Sequence, residues 1–212
     1  MTIIEKIKTI ALTYFHDSRG SHDWEHSERV MNLALHIAKS ENANLQIVQI
    51  AAILHDIGRE TQDKSSGKIC HADEGARLAV EILKDFDLPK EDKTNIVHCI
   101  QTHRFRNAHE PETIEAKALF DADKLDSIGA VGIGRAFLFS GEIGAKLHNY
   151  NVDISQTKAY TKEDTAYREF IVKLSKVKDR LLTEEGKRMA KGRHDFMVQF
   201  FDRMNREAEG EI

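Results

Sequence analysis

Cysteine and proline are nearly missing from this chain: among 212 residues only Cys70, Cys99, Pro89 and Pro111 occur. The two cysteines form no Cys-x-x-Cys pair, so neither a disulfide framework nor a thiolate metal site is available, which fits a reducing compartment. Few prolines leave helices largely uninterrupted. Long apolar runs are missing too; none approaches the roughly 20 residues that span a bilayer. The N-terminal segment MTIIEKIKTIALTYFH carries Glu5, Lys6 and Lys8 where a signal peptide has an unbroken apolar core. The expectation is a cytoplasmic chain with no membrane partner. There is no basic excess either: 31 Lys and Arg face 35 Asp and Glu, a net charge of −4, with no basic run or tail. That argues against duplex DNA or RNA as the main partner. Alternation of the strand kind is absent, so nothing signals a sheet.

Hydrophobic residues make up 41% of the chain and charged residues 31%, a balance that suits a soluble, folded domain. Helical periodicity recurs almost throughout. Segment 2–15 puts Ile3, Ile7, Ile10, Ala11 and Tyr14 on one face; 24–40 does so with Val30, Leu33, Ala34, Ile37 and Ala38. Segment 44–57 uses Ile47, Ile50, Ala51 and Leu54, with Gly58 as a stop. Segments 72–85, 90–105 and 112–126 follow, and two longer stretches, 160–183 and 185–207, end the chain. Residues 17–22, 59–69 and 144–158 read as loops. The glycines between Gly129 and Gly144 match no phosphate loop and point to close helix packing or a lid. The fold class expected is all-α: one domain over 1–212, with a helical-bundle core at about 20–130 and a C-terminal helical extension at about 160–207.

Four residues stand where an apolar face should continue. His26 lies four before Val30, His55 follows Leu54, Asp56 follows His55, and Asp123 lies three and four beyond Phe120 and Leu119. Inward faces of separate helices can converge on one point. A buried carboxylate must be paired, hydrogen-bonded, protonated or bound to metal. Two imidazoles with two carboxylates suit Mn, Fe, Co, Ni, Zn or Mg without choosing among them. Periodicity alone leaves the plainer reading open: a core histidine satisfied by a hydrogen bond, and an aspartate capping a helix.

The wording around these residues resembles the HD-domain superfamily of metal-dependent phosphohydrolases. It runs His22-Asp23-Trp24-Glu25-His26, then Leu54-His55-Asp56-Ile57-Gly58, then Asp121-Ala122-Asp123-Lys124-Leu125-Asp126. The pieces HDWEHSERV, LHDIGRE, HADEGA and FDADKLDSIGAVGIGRAF are similar to small single-domain bacterial and archaeal members, which include nucleotidases and nucleoside triphosphate pyrophosphohydrolases. The resemblance implies a divalent ion on His26, His55, Asp56 and Asp123. It leaves His71 and His103, which extend their own apolar faces, as ligands of a second ion, pocket-lining residues or core histidines.

What the resemblance implies for activity is hydrolysis of a phosphoester or phosphoanhydride, with a phosphorylated small molecule, a nucleotide above all, as substrate. Glu60 is the candidate acid–base group and Lys124 a candidate phosphate contact. His22, Arg29 and Arg104 are candidate substrate contacts, with Arg106 beside Arg104 adding rim charge. Two rivals stand beside this: a di-iron oxygenase of the same fold, and a metal-bound nucleotide sensor without turnover. The amphipathic C-terminal helices, with Phe196, Phe200 and Phe201 clustered, can pack on the domain or on a second copy in a homodimer.

Overall fold

The computed structural model describes residues 1–15, 24–104 and 109–212, and among these no strand occurs. Contacts group the chain into two compact units, one of residues 1–123 and 182–186, the other of residues 124–181 and 187–212.

The first unit holds α1 (Ile3–Leu12), α2 (Trp24–Ser40), α3 (Leu45–Leu54), α4 (Arg59–Lys64), α5 (His71–Leu83), α6 (Lys90–Thr102) and most of α7 (Ile114–Asp126). Local chemistry sets several boundaries. Thr2 and Glu5 form a reciprocal capping box at the start of α1, satisfying two backbone donors the helix leaves open. The Asn44 side chain accepts from the backbone of Gln46 and Ile47 to start α3. Helix α3 is the centre of the unit and packs against α1, α2 and α6. Ile47, Val48 and every residue from Ile50 to Leu54 are buried, so α3 is apolar around nearly its whole girth, as a central helix must be. Each fully buried Ile or Leu contributes about 1.5–3 kcal/mol. That core fixes the end of α3, where His55 and Asp56 follow. Helix α5 packs on α6, and α4 on α5.

The second unit holds the end of α7, α8 (Gly129–Glu142), a 3₁₀ turn at Ile154–Gln156, α9 (Ala166–Val172), a 3₁₀ segment at Leu174–Arg180, and α10 (Glu184–Glu209) from Lys187 on. Phe201 is buried there against Phe170, Tyr167 and Phe200, while Phe196 is exposed.

Two expectations change and a third narrows. Residues 59–69 are not all loop: Arg59–Lys64 is helical, with Glu60 in its first turn ion-paired to Lys64 four residues on. A helix polar on every side gives no periodic signal, but that charge order favours it. The stretch 160–183 is not one long helix: Thr165 caps the short α9 through Arg168 N, and the chain leaves the helix at Lys173. The glycine-rich stretch is α8 itself. A Cβ on Gly132 would lie 2.2 Å from the Ser127 carbonyl oxygen, so glycine is there for close backbone approach.

Candidate metal centre

Five helices of the first unit deliver six titratable side chains to one place. His26 is the third residue of α2, and His55 and Asp56 follow the last turn of α3. His71 opens α5, His103 caps the end of α6, and Asp123 lies on α7. All are buried except Asp123, whose side chain is 22% exposed and marks the open edge of the cluster.

Asp56 sits between two pairs of rings. Its Oδ2 lies 3.7 Å from His26 Nε2 and 3.8 Å from His55 Nε2. Its Oδ1 lies 3.3 Å from His71 Nε2 and 3.8 Å from His103 Nε2. Asp123 Oδ1 is 3.4 Å from His26 Nε2. Two sets of three donors result, His26–His55–Asp123 and Asp56–His71–His103, each with its ligand atoms within 4.8 Å of one another.

Hydrogen bonds fix how two of the rings face. His55 Nδ1 lies 2.8 Å from the Ala52 carbonyl and His103 Nδ1 lies 2.6 Å from the Ile100 carbonyl. A carbonyl only accepts, so both Nδ1 atoms carry the proton and both Nε2 atoms present a lone pair to the cluster. Among the described residues His55 Nε2, which is buried, has no hydrogen-bond partner.

Burial holds the rings neutral: it pulls His55 below its ordinary value, His103 to about 4 and His71 to about 2, against the opposing pull of nearby carboxylates. For Asp56 burial acts upward, but neighbouring positive charge, Arg59 first, outweighs it and holds the carboxyl well below its usual range. Neutral rings carry no charge, so at neutral pH Arg59 is the cation that does this. Its Nη2 donates to both Asp56 oxygens, at 3.0 and 3.1 Å.

This chemistry fits a divalent cation. An ionised carboxylate and inward lone pairs are gathered out of water, and ligands about 2.0–2.2 Å from one ion stand roughly 3–3.5 Å apart, close to the separations seen.

The other sequence-derived candidates fall as follows. Arg104 Nη1 donates to Gln62 Oε1 at 2.5 Å and lies 3.0 Å from His71 Nδ1, so it is beside the cluster. Arg29 is half-buried on α2, three residues after His26. Glu60 is engaged by Lys64 on α4. Lys124, half-buried, is the next residue of α7 after Asp123 and belongs to the second unit. His22 and Arg106 lie outside the described residues. Sequence reasoning missed Arg59 and Gln62, both on the polar α4. The available signal was spacing: Arg59 lies three residues beyond Asp56, and Gln62 three beyond Arg59.

Comparison with known proteins gives these positions a family. The HD domain model matches residues 23–128. The Bacillus subtilis protein YpgQ is 36% identical over 97% of this chain and 94% of its own length. The crystal structure of YpgQ in complex with ADP superposes with a TM-score of 0.73 at 33% identity, covering 96% of this chain and 97% of that one. An HD-superfamily hydrolase from Bacillus thuringiensis gives a TM-score of 0.75 at 27% identity over 97% of this chain and 96% of its own. Ribonuclease Y of Chloroflexus aurantiacus is 32% identical over 56% of this chain, a region that makes up 21% of that enzyme. No helix among the described residues is long and apolar enough to cross a membrane. The chain belongs to the HD domain family, whose hydrolases are metal-dependent phosphohydrolases.

Proposed function

We propose that this protein is a metal-dependent phosphohydrolase acting on a nucleotide phosphoester or phosphoanhydride. The observation that carries the reading is Asp56, buried and ionised, with the Nε2 atoms of four histidines around its two oxygens. A divalent ion held by His26, His55, Asp56 and Asp123, with a second on His71 and His103, would supply a water activated at neutral pH and a Lewis-acid contact to a phosphoryl oxygen. The protein's own groups do the rest. Substrate would enter at the exposed edge marked by Asp123, and Arg29 and Arg104 would meet its phosphates. Glu60 would move a proton between water and leaving group, which requires its pair with Lys64 to open. The nucleotide class draws its support from the relative whose structure was solved with ADP.

The test is release of phosphate and pyrophosphate from nucleoside mono-, di- and triphosphates and a short single-stranded RNA, with Mn, Mg, Co, Ni or Zn restored to chelated protein. Metal-dependent release from nucleotides is expected. Asp56→Ala should lose bound metal and lower turnover by about 10³-fold or more, since the ion supplies several kcal/mol, while staying helical by circular dichroism. Full activity in that variant would sink the proposal. Four histidines on two carboxylates also suit a di-iron oxygenase; two bound irons with oxygen uptake, and no phosphate release, would favour it.

A further inference from the structure

Gln62 lies outside every motif named above, yet it touches two residues of the site. Its Oε1 is 2.9 Å from His71 Nδ1, 3.3 Å from the His71 backbone nitrogen and 2.5 Å from Arg104 Nη1. Arg104 has donors only, so the amide atom facing it must be the oxygen. That oxygen also accepts from the His71 backbone N–H. An acceptor at 2.9 Å from Nδ1 then calls for a proton on Nδ1 and a lone pair on Nε2. At 3.0 Å Arg104 Nη1 could also donate to a bare His71 Nδ1, so the Gln62 oxygen, which accepts from both, is what turns the Nδ1 proton outward.

The consequence reaches the cluster. His71 Nε2 is 3.3 Å from Asp56 Oδ1 and 3.1 Å from His103 Nε2, whose own proton is committed to Nδ1 through Ile100. With Gln62 in place, two lone pairs and a carboxylate oxygen face one another, an arrangement that suits a bound cation. Without it, His71 can place its proton on Nε2 and donate to His103, closing the cluster as a neutral hydrogen bond and removing a ligand.

We propose that Gln62 is a positioning residue that sets the His71 tautomer, holding Nε2 as an electron-pair donor toward the Asp56–His71–His103 set and keeping Arg104 beside it. The inference rests on reading that set as the site of a second ion. Ligands held by such outer partners typically lose about 10–100-fold in metal affinity when the partner goes.

The experiment uses the full chain with ¹⁵N-labelled histidine. In metal-free protein, long-range ¹H–¹⁵N spectra should show His71 protonated at Nδ1. In Gln62→Leu it should shift toward Nε2–H, and Gln62→Glu, which keeps an acceptor for both partners, should restore Nδ1–H. Zinc titration by calorimetry, without substrate, should give two ions in the wild type. The weaker site should lose about 10–100-fold in Gln62→Leu and recover in Gln62→Glu, while the tighter one keeps its affinity. Circular dichroism checks that each variant folds. A wild-type His71 protonated at Nε2, or an unchanged tautomer in Gln62→Leu, overturns the proposal. A wild type with the expected tautomer that takes one ion overturns it too, through the two-ion reading beneath it; the metal-free spectra tell that failure from a failure of Gln62.

Discussion

His103 shows what the cluster costs the protein when no ion is bound. Burial holds its ring at about 4, whereas an unfolded histidine titrates near ~6.5. A group whose folded value lies below its unfolded one contributes stability that is complete above the unfolded value and is lost as pH falls toward the folded one. Chelated protein should therefore weaken between about pH 6.5 and about pH 4, by at most about 3 kcal/mol from this ring. His71, held to about 2, extends the loss to lower pH. Asp56 adds its share lower still, below the ordinary carboxylate range, because its folded value is depressed. Urea denaturation of chelated protein at pH 7, 6, 5 and 4 measures the slope. His103→Gln should flatten it; an equal slope in that variant would show that another group sets the acid limb. The six cluster residues were all named from the sequence: periodicity placed them at inward helix faces, the order and flanks of the family's motifs marked His26, His55, Asp56 and Asp123 as ligands, and His71 and His103 stayed among three readings. Arg59 and Gln62 were not named, since they lie on a short helix polar on all sides: Asp56 stands only three residues before Arg59, but no buried face marks the pair, and the partners of Gln62 are set by how α4 meets α5 and the end of α6.

The helices themselves were read with unequal success, for one physical reason. Periodicity found α2 at its bounds, Trp24–Ser40, because His26, Ser27, Val30, Ala34, Ile37 and Ala38 line one buried face. It missed α4, which has no buried residue and packs mainly on α5. Gly58, read as a stop, does more than end a helix. It stands in the turn between α3 and α4, where a Cβ would lie 2.4 Å from the His71 carbonyl oxygen and 2.7 Å from the Gly75 nitrogen. Those are backbone atoms of α5 and cannot swing away. Gly58→Ala should therefore push α5 outward and cost about 1–3 kcal/mol, measured as a shift in the urea midpoint at constant m-value. Because His71 opens α5, zinc binding at the weaker site should fall in the same variant. A stable Gly58→Ala protein with unaltered metal binding would mean that the approach of α5 is soft.

One domain over residues 1–212 is the sequence's reading, and the contact pattern turns it into a question about cooperativity. The boundary between the two compact units falls inside α7, after Asp123, and inside α10, after Gly186. The first unit is closed by a segment from far along the chain. Fully buried Asp121 accepts from Leu182 N at 2.9 Å, Thr183 N at 2.8 Å and Thr183 Oγ1 at 2.6 Å. Gly186 leaves the space: a Cβ there would be 2.3 Å from Asp121 Oδ2. The motif named Asp121 but gave it no role, since partners about 60 residues away leave no local pattern. A first unit that needs residues 182–186 forms only after the intervening chain has been threaded, so one domain predicts one transition. Trp24, the only tryptophan, belongs to the first unit, while helical ellipticity reports both. Urea unfolding followed by Trp24 fluorescence and by far-ultraviolet circular dichroism should give coincident midpoints, and calorimetric and van't Hoff enthalpies should agree. Separated midpoints would divide the chain into two domains, and would place the metal cluster in the one that carries Trp24.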